Sequence, residues 1–380
     1  MSVFHILRDI NTSTVVALRH ITQGGNLMRR VQEYIVTGKR VFVGLEDSKR
    51  SWKLCVRCEG QIIHEVSMPS DPENLLTYLT GKYPACEISL LYEAGFGGFW
   101  LHDVLQGHGI TCIVTPAHTV SQPKVMHVKT DRVDARRLAR NLESGDFARC
   151  YVHDRQWRED RQLVRTLSQI QRDITRTKNR IRKVFDYHGL NGSLDSGMWK
   201  DAQYRALRTM SLGSSLQLCL DTYLDELDSL WALRDRLQAA LRALSVSARY
   251  RSQVELKQSL PGIGWLTAIR LTLEWGDLSR FASGKRLASF VGLTSREHST
   301  GESQHRGRIT GQGNSQVRSW LIQCAWRSLR SDPVLLKKFH RVHRNSGSKK
   351  KAIVAVARKL VVRLRAIELS GSPYTPGVIC

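Results

Sequence analysis

The chain has 380 residues, 41% hydrophobic and 24% charged, which is enough apolar content for two or three packed domains and excludes wholesale disorder. Its 58 Lys and Arg outnumber 34 Asp and Glu, a net charge of +24 that points away from small neutral substrates and toward a polyanionic partner. No apolar run reaches the ~18 residues of a membrane span, and Arg8, Asp9 and Arg19 interrupt the N-terminal stretch, so neither a membrane segment nor a signal peptide is expected.

Residues 1–38 show weak periodicity and read as an N-terminal extension. From Arg40 the pattern becomes α/β. The apolar run 41–45 reads as a buried strand, and 52–57 and 61–67 as two more around a turn at Glu59 and Gly60. A helix is predicted over 73–83, entered through Ser70, Asp71 and Pro72. A strand over 87–92 follows, then a helix over 99–106 and a strand over 110–114. A last helix runs from about Thr130 to Glu143 and stops at Gly145. Three strands followed by alternating helices and strands over 39–153 match a ribonuclease-H-like (RuvC-like) architecture, a mixed sheet flanked by helices.

Residues 154–250 read as a helical arm. Leu163, Leu167, Ile170, Ile174 and Ile181 line one side of its first helix. Leu220, Leu224, Leu227, Leu230, Leu237, Leu241 and Leu244 form a seam suited to a coiled coil or a helical hairpin. The seam could pack within the chain or pair two subunits, and an arm with a dimer contact is the favoured reading. Residues 251–370 read as a mainly helical C-terminal domain, and 371–380, with Pro373 and Pro376, as a tail. From Arg251 onward, 23 Lys and Arg meet 7 Asp and Glu, so 16 of the 24 net charges lie in the last third, the expected main nucleic-acid face.

Four sets of residues carry candidate chemistry. Acids stand where strands end and a helix begins: Glu46 and Asp47 after the first strand, Glu93 after the fourth, and Asp131 with Asp134 on one helix face. Carboxylates so gathered suit Mg²⁺, a hard ion that prefers oxygen ligands, and two such ions can clamp the attacking and leaving oxygens of a phosphodiester. Each taken alone is an ordinary surface acid or helix-start charge. The stretch 260–269 resembles a helix-hairpin-helix turn, in which Gly262 and Gly264 would expose backbone N–H groups to phosphate; an ordinary helix–helix turn is the alternative.

Ser299 and Thr300 precede Gly301 in a basic segment with Arg296, Arg306 and Arg308, which reads as a phosphate-binding loop that could present a nucleophilic hydroxyl. Arg318 and the basic stretch 337–351, with Lys349, Lys350 and Lys351, suit phosphate tracking. Cys55 and Cys58 form a CxxC without further ligands at zinc spacing, and the eight scattered cysteines suit reduced thiols in a cytosol. No P-loop or dinucleotide fingerprint is present.

In order and spacing, Val43-Gly44-Leu45-Glu46, Tyr92-Glu93-Ala94-Gly95, the stretch from Lys129 to Arg136, Pro261-Gly262-Ile263-Gly264 and the stretch from Gly307 to Asn314 resemble the DEDD-type transposases of the insertion-sequence 110 family. The resemblance spans about 40–370. It implies a DNA recombinase that excises and inserts its own element on double-stranded DNA, with a RuvC-like acidic tetrad that binds Mg²⁺. It implies a C-terminal serine that attacks the DNA backbone to form a covalent phosphoserine link. It also implies, from at least some members, a structured non-coding guide RNA, and dimers that pair into tetramers in a bacterial or archaeal cytoplasm.

Two positions depart from the family pattern. The first tetrad position, an Asp in the family, falls on Glu46, with Asp47 adjacent; Glu46 is favoured. Aligning on Gly301 places Thr300 at the nucleophile position, with Ser299 one residue away. The alternatives to a recombinase are a metal-dependent, junction-resolving nuclease that uses only the tetrad, and a catalytically dead nucleic-acid-binding protein.

Overall fold

The computed structural model describes residues 15–18, 32–117, 130–190, 199–300 and 303–375, with side chains described from Val36 onward except at 298–300 and 303–306. The chain divides into two compact units, Met1–Val152 and His153–Cys380.

In the first unit, β1 (Val15–Leu18) and β2 (Gln32–Ile35) form an antiparallel ribbon that the weak periodicity of 1–38 did not reveal. The main sheet has five strands: β3 (Arg40–Glu46), β4 (Ser51–Cys58), β5 (Gln61–Pro69), β6 (Glu87–Glu93) and β7 (Thr111–Thr115). Their spatial order is β5-β4-β3-β6-β7. The first three strands pair antiparallel, whereas β3, β6 and β7 run parallel, so the α/β mixed sheet expected from the element order is observed.

Period-two alternation sends Val41, Val43 and Leu45 to one face, where they share a core with α1 (Pro72–Lys82) and α2 (Trp100–Gly107). Phe42, Leu91 and Ile113 meet α3 (Asp131–Ser144) on the other. Local chemistry starts and stops these helices. The Asp71 carboxylate accepts from the Glu73 and Asn74 amides ahead of α1, with Pro72 in its first turn. Thr130 caps α3, and Gly145 ends it in the left-handed conformation at φ 76°. The two thiols of the CxxC lie on opposite faces of β4, Cys58 in the first core and Cys55 against Ala135 and Ala139, so they cannot share one ion.

In the second unit, α4 (Arg155–Tyr187), α5 (Asp201–Arg208) and α6 (Ser214–Val246) build the arm. Arg180 pairs with Glu226 and Tyr250 with Asp160, so α4 and α6 run antiparallel as a hairpin. The leucine seam is used within the chain: Leu220, Leu224 and Leu227 are buried with Ile174, Ile181 and Phe185. At the base of the arm, Val164, Leu167 and Leu241 join the C-terminal core. That core gathers α7 (Arg251–Gln258), α8 (Trp265–Trp275), α9 (Gly284–Phe290), α10 (Ser315–Ser328), α11 (Pro333–Ser346) and α12 (Lys349–Ser370). The arm and the C-terminal helices thus share one core. The hairpin β8 (Ser295–Thr300) and β9 (Ser303–Ile309) interrupts the helices where a loop was expected. Within the unit, Lys257 and Glu368 form a buried ion pair, as do Arg363 and Asp332.

Candidate active site

The acidic cluster is assembled by strand register. Leu45 of β3 pairs with Tyr92 of β6 in parallel, so Glu46 and Glu93 close adjacent strands at the same level. Alternation puts both on the face that α3 covers. The helix can lie on that face because position 44 has no side chain. A Cβ there would stand 2.9 Å from the Ala139 Cα and nearer still to the Ala135 carbonyl oxygen and the Ala139 nitrogen. Gly44 therefore sets the depth at which α3 docks, and with it the position of the first turn. That turn carries Asp131 and Asp134, where the helix dipole favours negative charge, and the Thr130 hydroxyl accepts from the Val133 amide at 3.3 Å.

Glu46 feels this assembly. Burial, reinforced by the negative charges of Asp134, Glu93 and Asp131, pushes its carboxyl up to about 7, against a lowering pull from Arg137. Arg137 is the cation of the cluster: its Nη2 donates to Glu93 Oε1 at 2.8 Å and forms an ion pair with Asp134 Oδ1 at 3.0 Å. Asp134 is only 5% exposed, whereas Asp131 is open to solvent. Among the described residues, no three His, Cys, Asp or Glu side chains stand together at the separations a bound ion imposes. The donor set nevertheless fits a divalent cation. All four candidate ligands are hard carboxylate oxygens, and burial together with the three neighbouring carboxylates raises Glu46 in spite of Arg137. Asp47 is engaged elsewhere, its Oδ2 accepting from the Gly97 amide at 2.7 Å in the loop after β6. The cluster therefore takes Glu46 rather than Asp47. Sequence reading missed Arg137, although it directly follows the quoted 129–136 segment, and it gave Gly44 no role.

The basic candidates lie in the second unit and are not all alike. Gly262 adopts φ +91°, and a Cβ there would crowd the Ser328 hydroxyl and the Cys324 carbonyl of α10 within 2.8 Å. It therefore lets two helices approach closely. Gly264 is exposed and caps α8 without a side-chain hydrogen bond. Arg318 is occupied: its Nη1 donates to the carbonyls of Val291 at 3.1 Å, Gln312 at 2.6 Å and Gly313 at 3.2 Å, closing the base of the β8–β9 hairpin. Arg296 and Arg308 are exposed on that hairpin, Arg296 reaching the Thr310 carbonyl at 3.5 Å. Ser299 pairs with Gln304 and Thr300 with Ser303 in the register; the side chains of Ser299, Thr300 and Arg306 lie outside the described residues. Lys349, Lys350 and Lys351 are exposed in the first turn of α12, where cations oppose the helix dipole.

Two family models match the chain. One, described as Transposase IS116/IS110/IS902 family, covers residues 254–341, and one described as Transposase, of the DEDD insertion-sequence 110 type, covers 43–189. Among curated proteins, the chain is 27% identical over 365 residues to y4qE, a provisionally named transposase of Sinorhizobium fredii, across 93% of this chain and 86% of that one. It is 26% identical to the transposase for insertion sequence element IS1111A of Coxiella burnetii, across 63% of this chain and 66% of the relative. It is 34% identical over 124 residues to the pilin gene-inverting protein of Moraxella bovis, across 32% and 38% of the two chains.

Proposed function

The chain belongs to the IS116/IS110/IS902 transposase family and is a DNA transposase, and from that premise we propose that it cuts and joins DNA through a covalent bond between a hairpin hydroxyl and a backbone phosphate. The observation that carries this reading is the gathering of Glu46, Glu93, Asp131 and Asp134 at the ends of β3 and β6 and the start of α3. The DEDD-type domain points to a divalent metal, and the oxygen-only donor set favours Mg²⁺. Those four carboxylates would hold it, and bound there it would supply positive charge to a DNA phosphate. The first unit is read as an RNase-H-like, RuvC-like scaffold over 39–153 that presents this cluster.

The reaction is a displacement at phosphorus. The hydroxyl oxygen of Ser299 or Thr300 forms a bond to phosphorus as the bond to one bridging DNA oxygen breaks. The hydroxyl proton leaves to a base, and the departing oxygen takes one up. Arg296, Arg306 and Arg308 belong to the two strands of the hairpin that carries the hydroxyl and would hold the non-bridging oxygens as charge builds on them. Arg318 fixes the base of the hairpin that carries them. Attack by a strand-exchange partner on the same phosphorus releases the protein, which makes the overall change a recombination without net hydrolysis. Gly264, Lys349, Lys350 and Lys351 are read as backbone contacts. The three lysines sit where the helix dipole disfavours them, so an external anion would stabilise their placement. A structured non-coding RNA as guide, assembly as a dimer or tetramer, and a cytoplasmic location complete the reading. It treats 154–250 as the arm and 251–370 as the transposase domain.

The test is a denaturing search for protein joined to DNA. The full chain is incubated with Mg²⁺, its element's end DNA and the RNA transcribed there, and the modified peptide is mapped by mass spectrometry. A phosphodiester on Ser299 or Thr300, lost in Asp134→Ala, is expected. Cleavage that persists in a chain lacking both hydroxyls, with no adduct, would replace this reading with a metal-dependent nuclease. Nucleic-acid binding with neither cleavage nor adduct would leave a catalytically dead binding protein.

A further inference from the structure

Several described cations of the second unit have acidic partners. Arg161 meets Glu274, Arg180 meets Glu226, Arg208 meets Asp225 and Asp228, and Arg155 and Arg251 each pair with a glutamate four residues on. Up to Ile367, the helical pair α11–α12 holds no acids of its own to supply such partners. From Pro333 to Ile367 the sequence contains no Asp or Glu, yet it carries eleven Lys and Arg. Arg363 is matched by Asp332, and Arg365 bonds the Phe281 carbonyl. The remainder are not neutralised within the segment.

Five of this remainder converge on one place, beside the paired Arg363. A cleft of about 820 Å³ opens between α11 and α12, and Lys337, Lys338, Arg341, Arg344 and Lys359 line it. Burial, reinforced by Arg341, Lys359 and Arg358, presses the Lys338 ammonium below its ordinary range. Mutual repulsion among like charges on adjacent helical turns opposes this packing, and an anion seated in the cleft would reverse the sign of the effect. The cleft is far larger than one inorganic ion needs. Lys337 and Arg344 are separated by seven residues, about 10 Å of helix axis. A duplex presents about six phosphate charges over that length. Among the described residues no Phe, Tyr or Trp lines the cleft, which does not suit the base stacking that single strands use.

We propose that the α11–α12 cleft docks the phosphate backbone of double-stranded DNA without reading its sequence. This rests on the assignment as a DNA transposase but not on the chemistry proposed above. Lys337, Lys338, Arg341, Arg344 and Lys359 act as a positioning rail, distinct from the hairpin that carries Ser299 and Thr300.

The test is fluorescence anisotropy of the full chain with a short DNA duplex of mixed sequence, in EDTA, across a salt series. Because no metal or strand transfer is involved, failure of the cleft and failure of the covalent mechanism are read separately. Lys338→Gln with Arg341→Gln is expected to reduce the slope of log affinity against log salt by about two, at ~0.9 per phosphate contact. Affinity at moderate salt should fall at least about tenfold, and the DNA-free chain should melt at a higher temperature because crowding is relieved. Arg344→Gln with Lys359→Gln, one residue from each wall, should do the same and covers the case in which the first pair folds poorly. Arg155→Gln with Arg251→Gln removes the same net charge from cations already paired and should leave the slope unchanged. An unaltered slope in both cleft pairs overturns the proposal. So does an equal loss in the Arg155 and Arg251 control, which would make the effect one of net charge. Loss confined to duplex RNA, with duplex DNA unaffected, overturns the assigned occupant.

Discussion

Replacing Gly44 with Ala tests how the cluster is built. The added methyl would stand 2.9 Å from the Ala139 Cα, and nearer to two backbone atoms of α3, where ordinary contact begins at 3.4 Å. The obstruction is backbone on both sides, so no side chain can rotate away. The helix must retreat by about 1 Å, because packed interiors do not compress. Overpacking of this kind costs about 1–3 kcal/mol, and the rigid neighbours put Gly44→Ala at the upper end. For a unit of this size, about 3 kcal/mol corresponds to a fall of roughly 6–12 °C in melting temperature. The same retreat separates Asp131 and Asp134 from Glu46 and Glu93. A misplacement of about 1 Å lowers a positioned reaction by about 10²-fold. Gly81→Ala is the matched comparison: it lies in α1 with nothing within 4 Å of the added atom and should be neutral or slightly stabilising. Calorimetric melting of both variants, with recombination measured in parallel, separates the two cases. If Gly44→Ala and Gly81→Ala melt together and recombine equally well, α3 does not dock through Gly44 and the account of the cluster fails.

Glu46→Gln should alter the pH profile of stability in the metal-free chain. The folded carboxyl titrates at about 7 and the unfolded one near 4.5, so the native state holds the extra proton between these values and stability falls as pH rises through that window; in urea melts the variant should lose this fall, and a parallel profile would refute the placement of Glu46 among Asp134, Glu93 and Asp131. Arg318→Gln should lower hydrogen-exchange protection across 292–313 while leaving the salt slope of DNA binding intact, whereas a slope reduced by about one would identify a phosphate contact instead. Lys257→Met should destabilise the chain by about 3–5 kcal/mol in denaturant unfolding, because it strands Glu368 as a buried charge, and Glu368→Leu added to it should recover much of the loss.

The α/β half was legible because its signals are local. Alternation in 41–46 and 87–93, the Asp71–Pro72 helix entry and the Gly145 stop each act over a few residues, and the structure realises them in chain order. The acids at strand ends were visible for the same reason. The hairpin Ser295–Ile309 was not, since a strand pair rich in Gly, Arg, Ser and His shows no apolar alternation. What holds it is a tertiary arrangement at its base, where Gly292 passes against Gln312, Gly313 against Phe290, and Arg318 ties three carbonyls together. The leucine seam was legible as a seam, but its partner was not. A spacing of three and four specifies a helix to pack against, and α4 of the same chain supplies one.

The arginines make the general point. Arg137, Arg318 and Arg341 look equivalent in a sequence, each a cation in a basic helical stretch. Their surroundings assign them different work. Arg137 has two carboxylates within 3.0 Å, so it offsets part of the cluster's negative charge and competes for the very oxygens a divalent ion would take. Any ion binding there must displace a charge-assisted pair, so metal affinity and the stability of the metal-free chain are coupled through this one side chain. Arg318 has three carbonyls and is spent on holding a hairpin. Among the described residues Arg341 has neither, and it lines a cleft with other cations. A guanidinium with protein acceptors stabilises the fold by itself, whereas one crowded by like charge destabilises it until something negative arrives. In a chain with a net charge of +24, the proposed docking of DNA therefore rests on the cations gathered in the α11–α12 cleft rather than on the total charge.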